Sequence, residues 1–141
     1  MTAVRPAARE WSLLAFDYGS RRVGIAVGNS VLGRGRPLKT LGAEGDARFA
    51  AIAALIAEWK PDALVVGVPF HPDGAEHDNT RRARRFGRQL HGRFGLPVHE
   101  VDERYTTTEA LAEGAGAGDA DAAAAAIILD QFFSSAHHAP A

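Results

Sequence analysis

The chain has 141 residues, 46% hydrophobic and 23% charged, with 16 Lys+Arg against 17 Asp+Glu and a formal net charge of -1. This balance describes one globular domain and argues against a disordered chain or a strongly basic nucleic-acid-coating protein. Cysteine is absent, which excludes a disulfide framework, a thiolate zinc site and a Cys nucleophile. No apolar run is long enough to span a bilayer. Residues 1–10 are rich in Ala, Arg and Pro and lack the apolar core of a secretory signal. They are expected to fray, and a cytoplasmic protein with no membrane partner is the default expectation.

Residues 11–17 read as a buried strand that ends in the carboxylate of Asp17. A turn follows, and then residues 23–28 alternate Val23, Ile25 and Val27 with small residues, as an antiparallel second strand would. Residues 32–41 are expected to form a third strand, with Pro37 placing it at an edge. Phe49, Ile52, Ile56 and Trp59 share one helical stripe over residues 46–59, and Pro61 stops that helix. Residues 63–68 are a continuous apolar run, typical of a strand covered on both faces.

After a loop over residues 69–79, a helix capped by Asn79 or Thr80 is expected, with Ala83, Phe86 and Leu90 inward. Residues 97–101 are the next strand. Thr106 and Glu109 have capping-box spacing, so a short helix is expected there. The last helix opens at Asp119 or Asp121 and runs to about residue 133, with Ala122 to Ala126 suited to close approach against a sheet. The order describes one mixed α/β sheet with helices against it.

Charge is distributed unevenly. Arg81, Arg82, Arg84, Arg85, Arg88 and Arg93 occur with no acid among them. Residues 100–130 carry Glu100, Asp102, Glu103, Glu109, Glu113, Asp119, Asp121 and Asp130 against Arg104 alone. A basic helix beside an acidic segment could hold a polyanion near clustered carboxylates; it could equally be two solvated faces of opposite sign.

Asp17 ends the first strand, Asp102 and Glu103 follow the last strand, and Asp121 starts the last helix. In open α/β sheets, ligands bind at the carboxyl ends of the strands. Carboxylates gathered there repel one another unless a cation neutralises them, and oxygen ligands without Cys favour Mg²⁺ or Mn²⁺. Such ions activate a water and stabilise the leaving oxygen of a phosphodiester. Each residue also has an ordinary reading: Asp17 as a turn residue, Asp121 as a helix N-terminal acid, Glu103 as a partner of Arg104. Gly19, Gly24 and Gly28 could admit a phosphate or a closely packed element. Arg21 and Arg22 could meet phosphate or face water. His71, His77, His91 and His99 have no ligand spacing.

Several segments resemble one known family, the YqgF/RuvX family. Phe16-Asp17-Tyr18-Gly19-Ser20-Arg21-Arg22-Val23-Gly24-Ile25-Ala26-Val27-Gly28 is similar to its opening motif. Val66-Gly67-Val68-Pro69 with Asp73-Gly74, the helix segment Thr80, Arg82, Ala83, Arg84 and Phe86, and Asp102-Glu103-Arg104-Tyr105-Thr106-Thr107 resemble its internal motifs. Asp121 with Ala124, Ala125, Ile127, Ile128 and Leu129 resembles its closing helix. The chain departs from the family pattern at Phe70-His71-Pro72, where Asn is common, and in having no basic residue over 114–120.

The resemblance implies an α/β, ribonuclease H-like fold: a mixed five-stranded sheet with helices on both faces, over residues 11–134, with flexible ends at 1–10 and 135–141. It implies a nuclease that processes the 5′ end of pre-16S ribosomal RNA, acting on ribosome precursor particles. Asp17, Glu103 and Asp121 would then be the catalytic, metal-binding carboxylates, with Asp102 as an auxiliary and Mg²⁺ or Mn²⁺ as cofactor. Arg21, Arg22, Arg81, Arg84, Arg85 and Arg104 would contact substrate. The alternatives are a Holliday-junction resolvase acting on DNA and a non-catalytic nucleic-acid-binding module on the same fold.

Overall fold

The computed structural model describes residues 10–103 and 120–135. Residues 1–9 and 136–141 of the end segments, the capping box of Thr106 and Glu109, and Arg104 lie outside the described residues. Strands β1 (Ser12–Tyr18), β2 (Val23–Asn29) and β3 (Arg34–Leu41) form an antiparallel meander. Helix α1 (Gly45–Trp59), strand β4 (Ala63–Val68), helix α2 (Asp78–Phe94), strand β5 (Val98–Asp102) and helix α3 (Ala120–Ser135) follow. The sheet order is β3-β2-β1-β4-β5, with β1, β4 and β5 mutually parallel.

This is the mixed five-stranded sheet that the alternation of apolar runs and helical stripes implies. β3 lies at the edge, where Pro37 removes no ladder donor from a central strand. The β2–β3 register steps from Ile25 opposite Lys39 to Ala26 opposite Pro37, which leaves Leu38 as the extra residue of a bulge. All six residues of β4 are buried.

Strand alternation sorts the core into two layers. Leu14, Phe16, Val23, Ile25, Leu64 and Val66 face α1 and α2, and pack with Phe49, Ile52, Phe86 and Leu90. Leu13, Ala15, Ala26, Ala63 and Val65 face α3, and pack with Ala125, Ile128, Leu129 and Phe132. Helices therefore cover both faces, α3 lying across β3, β2 and β1.

The helix ends differ from the sequence expectation at one place. The N-cap of α2 is His77, not Asn79 or Thr80. Its Nδ1 accepts the Asn79 N–H at 3.2 Å, and its own N–H donates to Thr80 Oγ1 at 3.1 Å. The Thr80 hydroxyl in turn donates to the Pro69 carbonyl, tying the start of α2 to the end of β4. α1 ends at Lys60, in the left-handed region with φ 48°, and Pro61 follows. No helix among the described residues is long and apolar enough to cross a membrane.

Candidate active site

Asp17 continues the Leu13–Ala15 alternation, so it belongs to the α3 face, at the C-terminal end of β1. Its antiparallel partner is Gly24. A Cβ at Gly24 would stand 1.8 Å from the Asp121 carbonyl oxygen and 2.8 Å from the Ala122 nitrogen. Only a residue without a side chain lets the first turn of α3 descend onto β2 there. Asp121 is thereby brought next to Asp17 across the β1–β2 pair.

On the other flank, β1 pairs with β4 up to Phe16–Val66, so Gly67 lies one step beyond, beside Asp17. A Cβ at Gly67 would meet Glu103 Cγ at 3.3 Å and Ile128 Cδ1 at 2.5 Å. Glu103 is held at the end of β5 by its N–H, which donates to the Val68 carbonyl at 2.9 Å. Two glycines on strands flanking β1 thus make room for Asp121 on one side of Asp17 and for Glu103 on the other. The three acids come from three elements and share one face and one edge of the sheet. Asp102, one residue earlier on β5, is exposed and alternates to the opposite side.

Among the described residues, no three His, Asp or Glu side chains are drawn together tightly enough to coordinate one ion. The Asp121 carboxylate is turned to Arg22, whose Nε lies 2.8 Å from Oδ2; Arg22 is 64% exposed and Asp121 27%. The donor set, all carboxylate oxygen, nevertheless suits Mg²⁺ or Mn²⁺.

Gly24 and Gly28 are covered by packed chain rather than open to a phosphate. At Gly28 a Cβ would meet Arg34 O at 2.5 Å and Leu129 Cδ2 at 2.9 Å. Gly19 serves the tight β1–β2 turn, where a Cβ would lie 2.6 Å from the Arg22 carbonyl oxygen.

The basic helix resolves into separate groups. Arg81 pairs with Asp78 on its own helix. Arg84 bonds Glu76 at 2.8 Å and Glu100 at 3.4 Å, over the Phe70 ring. These two arginines are engaged within the chain. Arg93 stacks 4.0 Å over the Phe49 ring. Arg82 and Arg85 instead line a cleft near the β1–β2 turn. Arg21 is exposed in that turn. Sequence reasoning missed Arg48, which is 5% exposed on the inner side of α1. It sits four residues before Ile52 on the buried stripe, and that spacing was the available signal.

A ribonuclease H-like sheet with acids at the carboxyl ends of β1 and β5 and at the start of α3 is the class of molecule this geometry defines. The fold is similar to that of Thermus thermophilus RuvC, solved with a Holliday junction substrate, at a TM-score of 0.58 and 16% identity over 92% of this chain and 97% of that one. A weaker likeness, TM-score 0.51 and 11% identity, covers 94% of this chain and 36% of Archaeoglobus fulgidus Pelota.

The family model described as "RuvX: Holliday junction resolvase" matches residues 11–135, and the chain belongs to that family. A relative from Albidiferax ferrireducens, named "Putative pre-16S rRNA nuclease", is 65% identical over 94% of this chain and 83% of its own length. One from a Polaromonas species with the same name is 62% identical over 88% of each chain.

Proposed function

We propose that the chain is a metal-dependent nuclease that hydrolyses phosphodiester bonds in structured RNA, processing the 5′ end of pre-16S ribosomal RNA in the cytoplasm. The observation that carries this reading is the approach of Asp121 and Glu103 to Asp17 over Gly24 and Gly67. The names of the relatives supply the RNA substrate and its place in ribosome biogenesis.

In this reading Asp17, Glu103 and Asp121 hold Mg²⁺ or Mn²⁺, which when bound supplies an activated water and charge stabilisation at the leaving oxygen. Asp17 lies on a central strand between paired neighbours, so its backbone is fixed before substrate arrives. Arg22 offsets the charge of Asp121 and, at the exposed mouth of the site, is suited to bidentate contact with a substrate phosphate. Arg21 and Arg85 are further phosphate contacts. Arg81 and Arg84 contact substrate only by exchanging their carboxylate partners, and Arg104 completes the set of basic residues.

Asp17→Asn should retain the fold and lower Mg²⁺- or Mn²⁺-dependent cleavage of a pre-16S 5′-leader RNA by more than about 100-fold, since even the outer partners of metal ligands are worth about 10–100-fold. Undiminished cleavage by that variant would remove Asp17 from the site. The family description and the RuvC likeness favour a second reading, resolution of four-way DNA junctions. Cleavage of a synthetic four-way junction, with the leader RNA left intact, would select it.

A further inference from the structure

A cleft of about 300 Å³ opens on the face of the sheet opposite the carboxylates, between the β1–β2 turn, the start of α1 and one flank of α2. Arg48, Arg82 and Arg85 line it, with Tyr18, Ser20 and Gln89. Arg82, Arg85 and Gln89 share the i, i+3, i+7 stripe of α2.

Arg48 is the unusual member. Its side chain is almost wholly buried, and its Nε and Nη2 donate to the carbonyls of Ala43 and Ser20 at 3.0 and 3.2 Å. Its guanidinium also lies 5.7 Å from the centre of the Tyr18 ring. Among the described residues, neither Arg48 nor Arg82 nor Arg85 is in an ion pair with a carboxylate. The acid lining the cleft is Glu44, exposed at the N-cap of α1, where its side chain makes no capping bond. Three guanidinium groups against one exposed carboxylate leave the cleft net positive. A buried charge without a counterion is costly to keep, so a fold that fixes one beside an open cleft is organised for an anion. Planar guanidinium forks match phosphate oxygens bidentately.

We propose that this cleft binds a phosphate group, supplied by the backbone of a nucleic-acid strand. The proposal rests on the nuclease reading only for that source. Ser20, on the cleft side, and Arg22, beside Asp121, belong to the same tight turn, so a strand crossing the turn would lie in both sites. The cleft then serves as a clamp one or more nucleotides away from the bond that is cut.

The test uses a single-stranded RNA oligonucleotide, with metal chelated, and separately inorganic phosphate and AMP. Binding is read by fluorescence anisotropy across a salt series, and cleavage is assayed apart from it. Arg82 and Arg85 are exposed, so Arg82→Ala/Arg85→Ala should stay folded, which circular dichroism checks. That variant should weaken oligonucleotide binding and lower the slope of log K against log salt by about 0.7 for one lost phosphate contact. Arg48→Gln should do the same in part. An unchanged slope in both variants overturns the proposal. Arginine-dependent binding of phosphate or AMP without any effect on the oligonucleotide overturns the strand as its source. Loss of oligonucleotide binding in a protein that cuts nothing upholds the cleft and rejects the nuclease reading alone.

Discussion

The two faces of the sheet are packed by opposite means. Toward α1 and α2 the strands send large residues, and Phe86 is the hub: its ring lies 5.8 Å from Phe16, 5.0 Å from Tyr18 and 6.0 Å from Phe49. Toward α3 the strands present Gly24, Gly28, Gly35, Gly67, Ala15, Ala26 and Ala63 beside Leu13 and Val65, and the first turns of the helix answer with Ala122, Ala125 and Ala126 before Ile128, Leu129 and Phe132. Bulk holds helices at a normal distance and leaves clefts between them. Smallness brings backbone onto backbone, as where a Cβ at Gly35 would lie 2.6 Å from the Ala126 carbonyl oxygen; the Gly35 N–H there also donates to the Asp130 carboxylate, Oδ1, at 2.6 Å. Asp17 lies on the small-residue face, where Gly24 lets the first turn of α3, with Asp121, pack onto β2, and Gly67 leaves room for Glu103.

Opposite substitutions should therefore damage opposite faces. Phe86→Ala empties the hub of the large-residue layer and should cost about 4 kcal/mol in a urea unfolding curve. Gly24→Ala adds one methyl to the other layer, yet forces α3 off the sheet, and should cost about 3 kcal/mol as overpacking does. If Gly24→Ala were neutral, α3 would not sit on β2 and the approach of Asp121 to Asp17 would fall with it.

A smaller effect of opposite sign separates packing from propensity. Gly92 lies in α2, and a Cβ there meets nothing within 4 Å. Gly92→Ala should raise stability by about 0.5–1 kcal/mol through helix propensity alone.

The smallest effect is one of pH. His99, on β5, stacks 5.4 Å from the Phe132 ring, and burial holds its pKa below the 6.5 of a free imidazole. The folded state then binds fewer protons than the unfolded chain. Stability is fully present above about pH 6.5 and declines as pH falls from there through the folded-state pKa. His99→Gln should flatten that decline, measured as the urea midpoint on either side of pH 6.5. An unaltered slope would assign the decline to other groups.

Much of the architecture could be read in the residues because it is written in local chemistry. The unbroken run of β4, the Pro37 edge strand and the Pro61 stop each follow from what a single segment can bury or bond. The acids at strand and helix ends were visible for the same reason. His77 as the cap of α2 was not, because His is not among the residues that usually fill that role and its bond to Asn79 exists only once the loop is folded. Arg48 was hidden behind its charge, although its place on the α1 stripe is apolar by period.

The sequence alone determined the order and kind of the described elements, the places of Asp17, Glu103 and Asp121 near their ends, and the excess of arginine in α2. Those depend on periodicity and turn chemistry, which act over a few residues. Only the tertiary structure decided that Gly24 and Gly67 make room for the start of α3 and for Glu103 on the strands that flank Asp17. It alone parted the arginines into carboxylate-paired and cleft-lining sets. Both depend on which distant segments share a face of the sheet, and that is settled by strand register and helix docking, not by any one stretch of chain.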